Sequence, residues 1–306
     1  MNIRSIQPEE LATFAQITDQ PARIKRFSNM VAAMWASGES KPEWCFLAKE
    51  NGHIVGRLGF MTVDGQQDVV ALFGWVLPWE GNYLAVGKQL LTEAIAHLQQ
   101  HGIVSVQREL ASTWATVDKQ KEILEAAHFT LQQTQLYYEY AASFGDIAVP
   151  PRLQFKPLSS VGESSFIDVV KQVTASTHDK AMQTHIRALG LDAFVEQDYQ
   201  FIRDEHEHEP NWWQLAYTSF GDLVGFIQPV RFPNSNEGNI AYLGVVPEQR
   251  GHGFGLDLLA QATAILLKAG VDVIVARTNS HNLPMQRTFT KLGYQLESKI
   301  WTYQKE

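Results

Sequence analysis

Apolar and polar residues in the second half of the chain follow a pattern that predicts a mixed sheet interrupted by helices. Alternating runs separated by a Gly-Asp turn are typical of a β-hairpin, and apolar residues at helical spacing indicate amphipathic helices. The predicted elements, in chain order, are a hairpin around residues 221–222, a strand over 239–246, a helix over 256–269, an apolar strand over 271–277, a helix over 283–292 and a closing strand.

The same pattern occurs earlier in the chain. WCFLAKENGHIVGRLGF (44–60) resembles WWQLAYTSFGDLVGFIQ (212–228), and further landmarks follow at a nearly constant spacing. The segment AASFGDIAVPPR (141–152) ends in a Pro-Pro pair that cannot continue a helix. We therefore predict two copies of one α+β domain with a mixed α/β sheet, at residues 1–142 and 151–306.

Composition restricts the class of protein. The 306 residues are 45% hydrophobic and 19% charged, and the formal net charge is -8. This charge argues against a nucleic-acid partner and is compatible with a cationic amine ligand. The single cysteine, Cys45, excludes an internal disulfide and a cysteine-based zinc cluster. No apolar stretch is long enough to cross a membrane, so a cytoplasmic protein without a membrane partner is expected.

The segment VVPEQRGHGFG (245–255) predicts an anion site where a strand turns into a helix. Gly251, Gly253 and Gly255 allow a tight turn whose N–H groups, with the helix N-terminus, suit a pyrophosphate. Arg250 adds a cation. The residues after Gly255 exclude a Walker loop, and the spacing departs from a dinucleotide fingerprint. A glycine-rich turn without a ligand is the alternative interpretation.

Two motifs together resemble the GCN5-related N-acetyltransferase (GNAT) family. Arg250-x-x-Gly253-x-Gly255 matches its acyl-CoA loop, and NSHNLPMQRTFTKLGY (279–294) contains Asn282 and the Leu-Gly-Tyr ending of its next motif. The resemblance covers residues 212–300 and extends more weakly to 1–140. It implies a tandem-domain GNAT protein with a degenerate N-terminal copy.

The resemblance implies an enzyme that transfers an acetyl group from acetyl-CoA to a primary amine of a small molecule or peptide, by direct attack. The backbone of the strand end would bind the pantetheine arm, the loop N–H groups would bind the pyrophosphate, and a side chain of the last helix would reach the arm. The residues implied to hold acetyl-CoA are Val245, Val246, Arg250, Gly251, His252, Gly253, Phe254, Gly255 and Asn282.

The catalytic groups depart from the family pattern. Phe289 stands where many members have a tyrosine that protonates the thiolate, so the general acid stays unassigned. Asn239 stands where some members have a basic glutamate. Glu237, two residues earlier, is the candidate base, and a solvated loop carboxylate is the alternative. Tyr242 contacts the acyl site or packs in the sheet.

The first copy lacks the loop chemistry. Asn82, Ala85 and Gly87 take the places of Arg250, Gly253 and Gly255, and Tyr83 takes the place of Gly251. Large side chains would obstruct a phosphate. We expect that the first domain does not bind CoA in the usual way.

Other features leave alternatives open. HEHEP (206–210) pairs two histidines that could chelate a metal, but an exposed acidic loop is favoured and no metal is predicted. His178, Asp179 and His185 line an acceptor site or lie on a solvated helix face. A CoA-responsive regulatory protein with little catalysis is the alternative function. Aminoacyl transfer from tRNA is disfavoured by the acidic chain and the CoA loop, whereas acetylation of a thiol cofactor's amine precursor remains open.

Overall fold

The computed structural model describes residues 1–16, 18–63, 66–145, 147–177 and 179–306. The chain forms two compact units, the first made of Met1–Gln133 with Ile300–Glu306 and the second of Thr134–Lys299. These units differ from the predicted division into 1–142 and 151–306. The segment 134–141 belongs to the second unit, and the last seven residues belong to the first.

In the first unit, a mixed sheet carries helices between its strands. Its elements are β1 (Asn2–Ser5), α1 (Leu11–Phe14), α2 (Pro21–Ser37), β2 (Cys45–Glu50), β3 (His53–Val63), β4 (Gln66–Val76), α3 (Tyr83–Gln100), β5 (Ser105–Ala111) and α4 (Val117–Ala126). The strand order is β1-β2-β3-β4-β5 followed by residues 300–305, and among the described pairings only that of β4 with β5 is parallel.

The second unit repeats this plan. The remaining strands and α-helices described are β6 (Thr130–Ala141), β7 (Leu153–Pro157), α5 (Leu158–Val161), α6 (Glu163–Ala175), α7 (Lys180–Leu189), α8 (Leu191–Glu205), β8 (Gln214–Thr218), β9 (Leu223–Arg231), β10 (Glu237–Val245), α9 (Phe254–Lys268), β11 (Val273–Asn279), α10 (Leu283–Leu292) and β12 (Gln295–Lys305). The sheet of the second unit has the order β7-β8-β9-β10-β11 followed by residues 135–141, and among the described pairings only that of β10 with β11 is parallel.

The sheet of the second unit is a middle layer between two helical layers. Because adjacent strand side chains point to opposite faces, Phe226 packs with α6 and α8, whereas Ile227 packs with α9 and α10. Helix α9 buries Leu258, Leu259 and Leu266 on the first face. Burial of each such side chain contributes roughly 1.5–3 kcal/mol, so this stripe anchors the N-terminus of α9 beside the end of β10.

Strands β10 and β11 separate partway along their length. They pair in parallel only from Glu237 to Asn239, opposite 273–275. Beyond that point β10 stays on β9 and β11 stays on β6, and no β10–β11 pairing is recorded for the residues described there. A bulge between Ile240 and Tyr242 marks the divergence. We call the opening between 240–245 and 276–279 the wedge.

The structure confirms the predicted fold class and the repeat. The order of strands and helices from β2 to α4 recurs from β8 to α10, and the hairpin, the third strand and both helices of the second copy form as predicted. In the part of the chain that is described, no helix is long and apolar enough to cross a membrane.

Candidate functional site

The glycine loop, residues 250–255, presents a row of free N–H groups at the open end of the wedge. Gly251 (φ 85°) and Gly253 (φ 78°) adopt left-handed backbone conformations that favour glycine. Gly253 is the N-cap of α9. Within the described chain, no group accepts a hydrogen bond from the backbone N–H of residues 251–255. Five free donors at a helix N-terminus form an anion site.

The space in front of this loop is open. A Cβ built on Gly255 would have Thr288 Oγ1, 3.9 Å away, as its nearest neighbour, and one built on Gly251 would meet nothing within 4 Å. A ligand group can therefore reach the backbone at Gly255. A side chain at this position would occupy the same space and exclude that group. This open cradle lies where the sequence predicts an anion site for a pyrophosphate.

The two residues predicted to contact the pantetheine arm, Val245 and Val246, differ in which of their backbone groups are free. Val246 uses both backbone groups internally, because its N–H donates to Val224 O (2.9 Å) and its carbonyl accepts from Gln249 N (3.0 Å). Successive residues of a strand face opposite edges, so the N–H of Val245 faces away from β9 and into the wedge. Val245 therefore offers a free N–H to the predicted pantetheine arm, whereas the N–H of Val246 is already bonded to Val224, so a contact at Val246 stays a prediction that would involve its carbonyl.

Arg250 does not extend toward the anion site. Its guanidinium donates to the carbonyl oxygens of Val245 (3.1 Å) and Ser176 (3.2 Å) and to Ser176 Oγ (2.7 Å). It also lies 3.5 Å from the Val173 carbonyl, so it joins the end of α6 to the glycine loop. In this arrangement the Arg250 side chain holds the loop, and its contact with a phosphate stays a prediction.

Arg152 is a residue of the site that the sequence did not indicate. Its guanidinium pairs with the fully buried carboxylate of Asp257 in the first turn of α9. It also approaches the carbonyl oxygens of His252 and Gly253, at 3.4 Å each. The signal in the sequence was an arginine directly after the Pro-Pro pair, which carries no information about a partner 105 positions later.

The last helix supplies a further donor. Asn282 is the N-cap of α10, and its side-chain oxygen accepts from Met285 N at 3.2 Å. The cap leaves its amide NH₂ available for the CoA arm. Phe289 is buried and stacks on Tyr138, with ring centroids 4.7 Å apart. This position holds a core side chain.

The placement of Glu237 does not support its assignment as the base. It is the first residue of β10, opposite Val273, where the two parallel strands are still paired. From there to Val245 the strand runs roughly 26 Å at 3.3 Å per residue. The Glu237 carboxylate lies beside Tyr137 and, after burial, is a cause of the rise of the Tyr137 pKa to about 12.

A different pair of ionisable groups lies on the α6–α8 face of β10. Asp198 is half-buried on α8, on the same stripe as Val195 and Tyr199, and no described residue pairs with it. Burial raises the pKa of Asp198 to about 6. Burial also raises the pKa of Tyr242 to about 12, with a smaller contribution from the Asp198 charge. The Tyr242 hydroxyl lies 3.1 Å from Thr174 Oγ1.

The corresponding opening in the first unit is filled by its own side chains. Strands β4 and β5 pair only over 69–71 and 105–107. The next residue, Arg108, donates to the Leu72 carbonyl (2.7 Å) and to Gln120 Oε1 (2.9 Å). Its guanidinium lies 4.9 Å from the Trp114 ring centroid. The edge of β4 that would bind a ligand is therefore occupied.

The helix start of the first unit is also closed. A Cβ on Gly87 would lie 2.7 Å from both Leu77 and Ile123, whereas the matching Gly255 faces open space. Tyr83, which replaces Gly251, donates to Glu122 Oε2 at 2.6 Å. The two copies thus share a backbone plan. The wedge of the second unit is open, whereas side chains fill the corresponding opening of the first unit.

Of the remaining candidates, only Asp179 is seen to contact a described residue of the wedge, since its side chain accepts from Asn279 Nδ2 at 3.4 Å. His208 stacks on Trp213 (ring centroids 4.3 Å apart), and Glu207 pairs with Arg231. Across the described residues, no three His, Cys, Asp or Glu side chains gather as a metal would require. Asp179 caps α7 by accepting from Ala181 N (2.9 Å). His178 lies outside the described residues, and His185 packs against Phe194.

Comparison with known proteins agrees with this geometry. The model of the acetyltransferase (GNAT) family matches residues 179–294. A GCN5-related N-acetyltransferase from Sphaerobacter thermophilus superposes with a TM-score of 0.63 at 14% identity, covering 100% of this chain and 95% of that one. A tandem GNAT protein from the clavulanic acid biosynthesis pathway gives 0.59 at 12% identity, covering 100% and 98%. No curated protein sequence matches the chain.

The mixed-sheet architecture of this chain is a fold that solved GNAT proteins share. Residues 179–294 match the model of the acetyltransferase (GNAT) family, and the whole chain is similar in fold to solved GNAT proteins, one of them a tandem GNAT protein.

Proposed function

We propose that the second unit transfers an acetyl group from acetyl-CoA to a primary amine of a small molecule or peptide. The observation that carries this proposal is the row of five free N–H groups at the open end of the wedge. These donors would hold the pyrophosphate, the N–H of Val245 would bind the pantetheine arm, and the Asn282 amide would reach the same arm.

The proposed reaction is direct transfer. The neutral amine nitrogen forms a bond to the thioester carbonyl carbon, and the carbon–sulfur bond breaks to release the CoA thiolate. Asp198 is the proposed proton acceptor, because its pKa of about 6 leaves it ionised but basic near neutral pH. Tyr242 is the proposed donor to the thiolate, because its pKa of about 12 keeps the hydroxyl protonated.

The acceptor is proposed to be cationic in solution. The chain carries a net charge of -8, and the carboxylates of Asp198 and Asp179 both act on Tyr242. A negative field concentrates protonated amines, and the free-base fraction then reacts. A small amine and the amine of a peptide both fit this chemistry.

We also propose that the first unit does not bind acetyl-CoA. The Arg108 side chain bonded to the edge of β4 and the tight packing around Gly87 support this proposal. One cofactor per chain is the expected stoichiometry.

A CoA-responsive regulatory role without catalysis is the second candidate, and Phe289 at the usual acid position favours it. The two functions separate in one experiment. Calorimetric titration of acetyl-CoA gives the stoichiometry, and an amine panel with free-thiol detection gives turnover. Turnover with at least one amine supports the enzyme, whereas tight binding without turnover on any amine supports regulation. Absence of binding would overturn both.

A further inference from the structure

A buried negative charge lies directly beneath the proposed phosphate site. Asp257 is the fourth residue of α9 and is completely buried. A carboxylate in the first turn is favourable toward the helix dipole, but it repels an anion bound at the same helix N-terminus. The site therefore needs a cation that neutralises Asp257 without occupying the place of the phosphate.

Arg152 meets this requirement. Its Nε lies 3.1 Å from Asp257 Oδ1, and a second nitrogen pairs with Oδ2. The guanidinium lies over the Phe254 ring, 5.2 Å from its centroid. The hydrogen bond to Asp257 raises the pKa of Arg152, so the charge is permanent.

The same guanidinium orients the glycine loop. It lies 3.4 Å from the carbonyl oxygens of His252 and of Gly253. In a trans peptide the carbonyl and the next N–H point in opposite directions. Fixing these two oxygens on the Arg152 side therefore directs the N–H groups of Gly253 and Phe254 away from Arg152, toward the open cradle.

We propose that Arg152 is a positioning residue for acetyl-CoA, which neutralises Asp257 and holds the N–H groups of the glycine loop toward the pyrophosphate. This inference rests on the proposed function. Arg152 lies outside the segment 179–294 that matches the family model, in the part of the second unit directly before β7.

The test compares a ligand with and without the pyrophosphate. Arg152→Met is expected to weaken acetyl-CoA binding at least tenfold in calorimetry, because Asp257 becomes an unpaired charge and the loop loses its orientation. Turnover of S-acetylpantetheine, which lacks the pyrophosphate, should stay within about twofold of wild type. Arg152→Lys should recover part of the affinity, since the charge returns without the planar fork.

The double variant Arg152→Met/Asp257→Asn removes the unpaired charge and keeps the test independent of folding. It should bind acetyl-CoA more tightly than Arg152→Met alone. Arg231→Met, which breaks an exposed arginine–carboxylate pair with Glu207, is the matched control and should bind as wild type.

Two results would overturn the inference. One is an unchanged acetyl-CoA affinity in Arg152→Met, and the other is a loss of S-acetylpantetheine turnover in this variant as large as its loss of acetyl-CoA affinity. Failure of the proposed function is distinguishable, because it would appear in wild type itself, as absence of acetyl-CoA binding or as binding without turnover of any amine.

Discussion

At the scale of single residues, the two matched glycines give the sharpest prediction. Gly255→Leu should weaken acetyl-CoA binding by about a hundredfold or more, because the side chain enters a cradle where only Thr288 lies near. Its stability should be unchanged or higher by up to about 1 kcal/mol, since leucine is the better helix former. Calorimetry and thermal unfolding measure both quantities.

Gly87→Ala is the control for this variant. Its Cβ would lie 2.7 Å from Leu77 and Ile123, so overpacking should cost about 1–3 kcal/mol of stability. Acetyl-CoA affinity should not change. Loss of binding in Gly87→Ala, or full binding by Gly255→Leu, would contradict the assignment of one cofactor site to the second unit.

Asp198 leads to a prediction on pH. The proposed base must be ionised, so kcat/KM should rise as the pH increases through about 6. Folding raises the pKa of Asp198 from 3.8 to about 6, so the folded state favours the protonated carboxyl. Ionised Asp198 therefore destabilises the fold at pH values above about 6. Asp198→Asn should therefore lose most activity while gaining thermal stability at pH 7.5, with an upper limit of roughly 3 kcal/mol.

Glu237→Gln is the control for the pH profile. Glu237 lies where β10 and β11 are paired, so its removal should leave the profile unchanged. A profile that persists in Asp198→Asn and disappears in Glu237→Gln would restore the original assignment of the base.

The sequence predicted the glycines of the candidate site but not the charged residues that the structure adds to it. Gly251 and Gly253 were predictable because a left-handed backbone selects glycine locally. Arg152 and Asp198 were not, since each acts on elements distant along the chain and has no local motif. Arg250 was matched to a motif, yet its contact with Ser176 depends on the position of α6.

At the scale of elements, periodicity predicted the strands and helices of both copies, but not the wedge. Whether two parallel strands stay paired depends on the bulge between Ile240 and Tyr242 and on what lies between the strands. The first unit shows the alternative outcome, in which Arg108 fills the opening. The hydrophobic pattern is similar in the two copies. It therefore does not distinguish the open wedge of the second unit from the filled opening of the first.

The variant Arg108→Met tests whether the Arg108 side chain closes the opening between β4 and β5. The Leu72 carbonyl and Gln120 would each lose a donor, and an unsatisfied buried acceptor costs about 1–3 kcal/mol. We expect a loss of about 2–4 kcal/mol from the first unit and no second cofactor site, because Leu77 and Ile123 still close the helix start. A stoichiometry of two in calorimetry would contradict this reasoning.

At the scale of the whole molecule, the sequence predicted the number of units and missed one strand at each boundary. Residues 135–141 pair with β11, and residues 300–305 pair with β5. A strand's apolar alternation specifies its buried face but not the strand beside which it lies. The assumption that each copy is continuous therefore failed at the two closing strands, although their lengths and periodicity were correct.

The last strand should consequently stabilise the unit in which the chain begins. Deletion of residues 300–306 removes the pairs from Ile300↔Ala111 to Lys305↔Val106 and the bond from Lys305 Nζ to the Ala127 carbonyl. Hydrogen exchange should then accelerate in residues 106–111, while the second unit, which retains β10 and the glycine loop, still binds one acetyl-CoA. Deletion of Glu306 alone, which has no strand partner, is the control. Unchanged protection of residues 106–111 would show that β5 is held without the last strand, whereas loss of acetyl-CoA binding would show that the cofactor site needs an intact first unit.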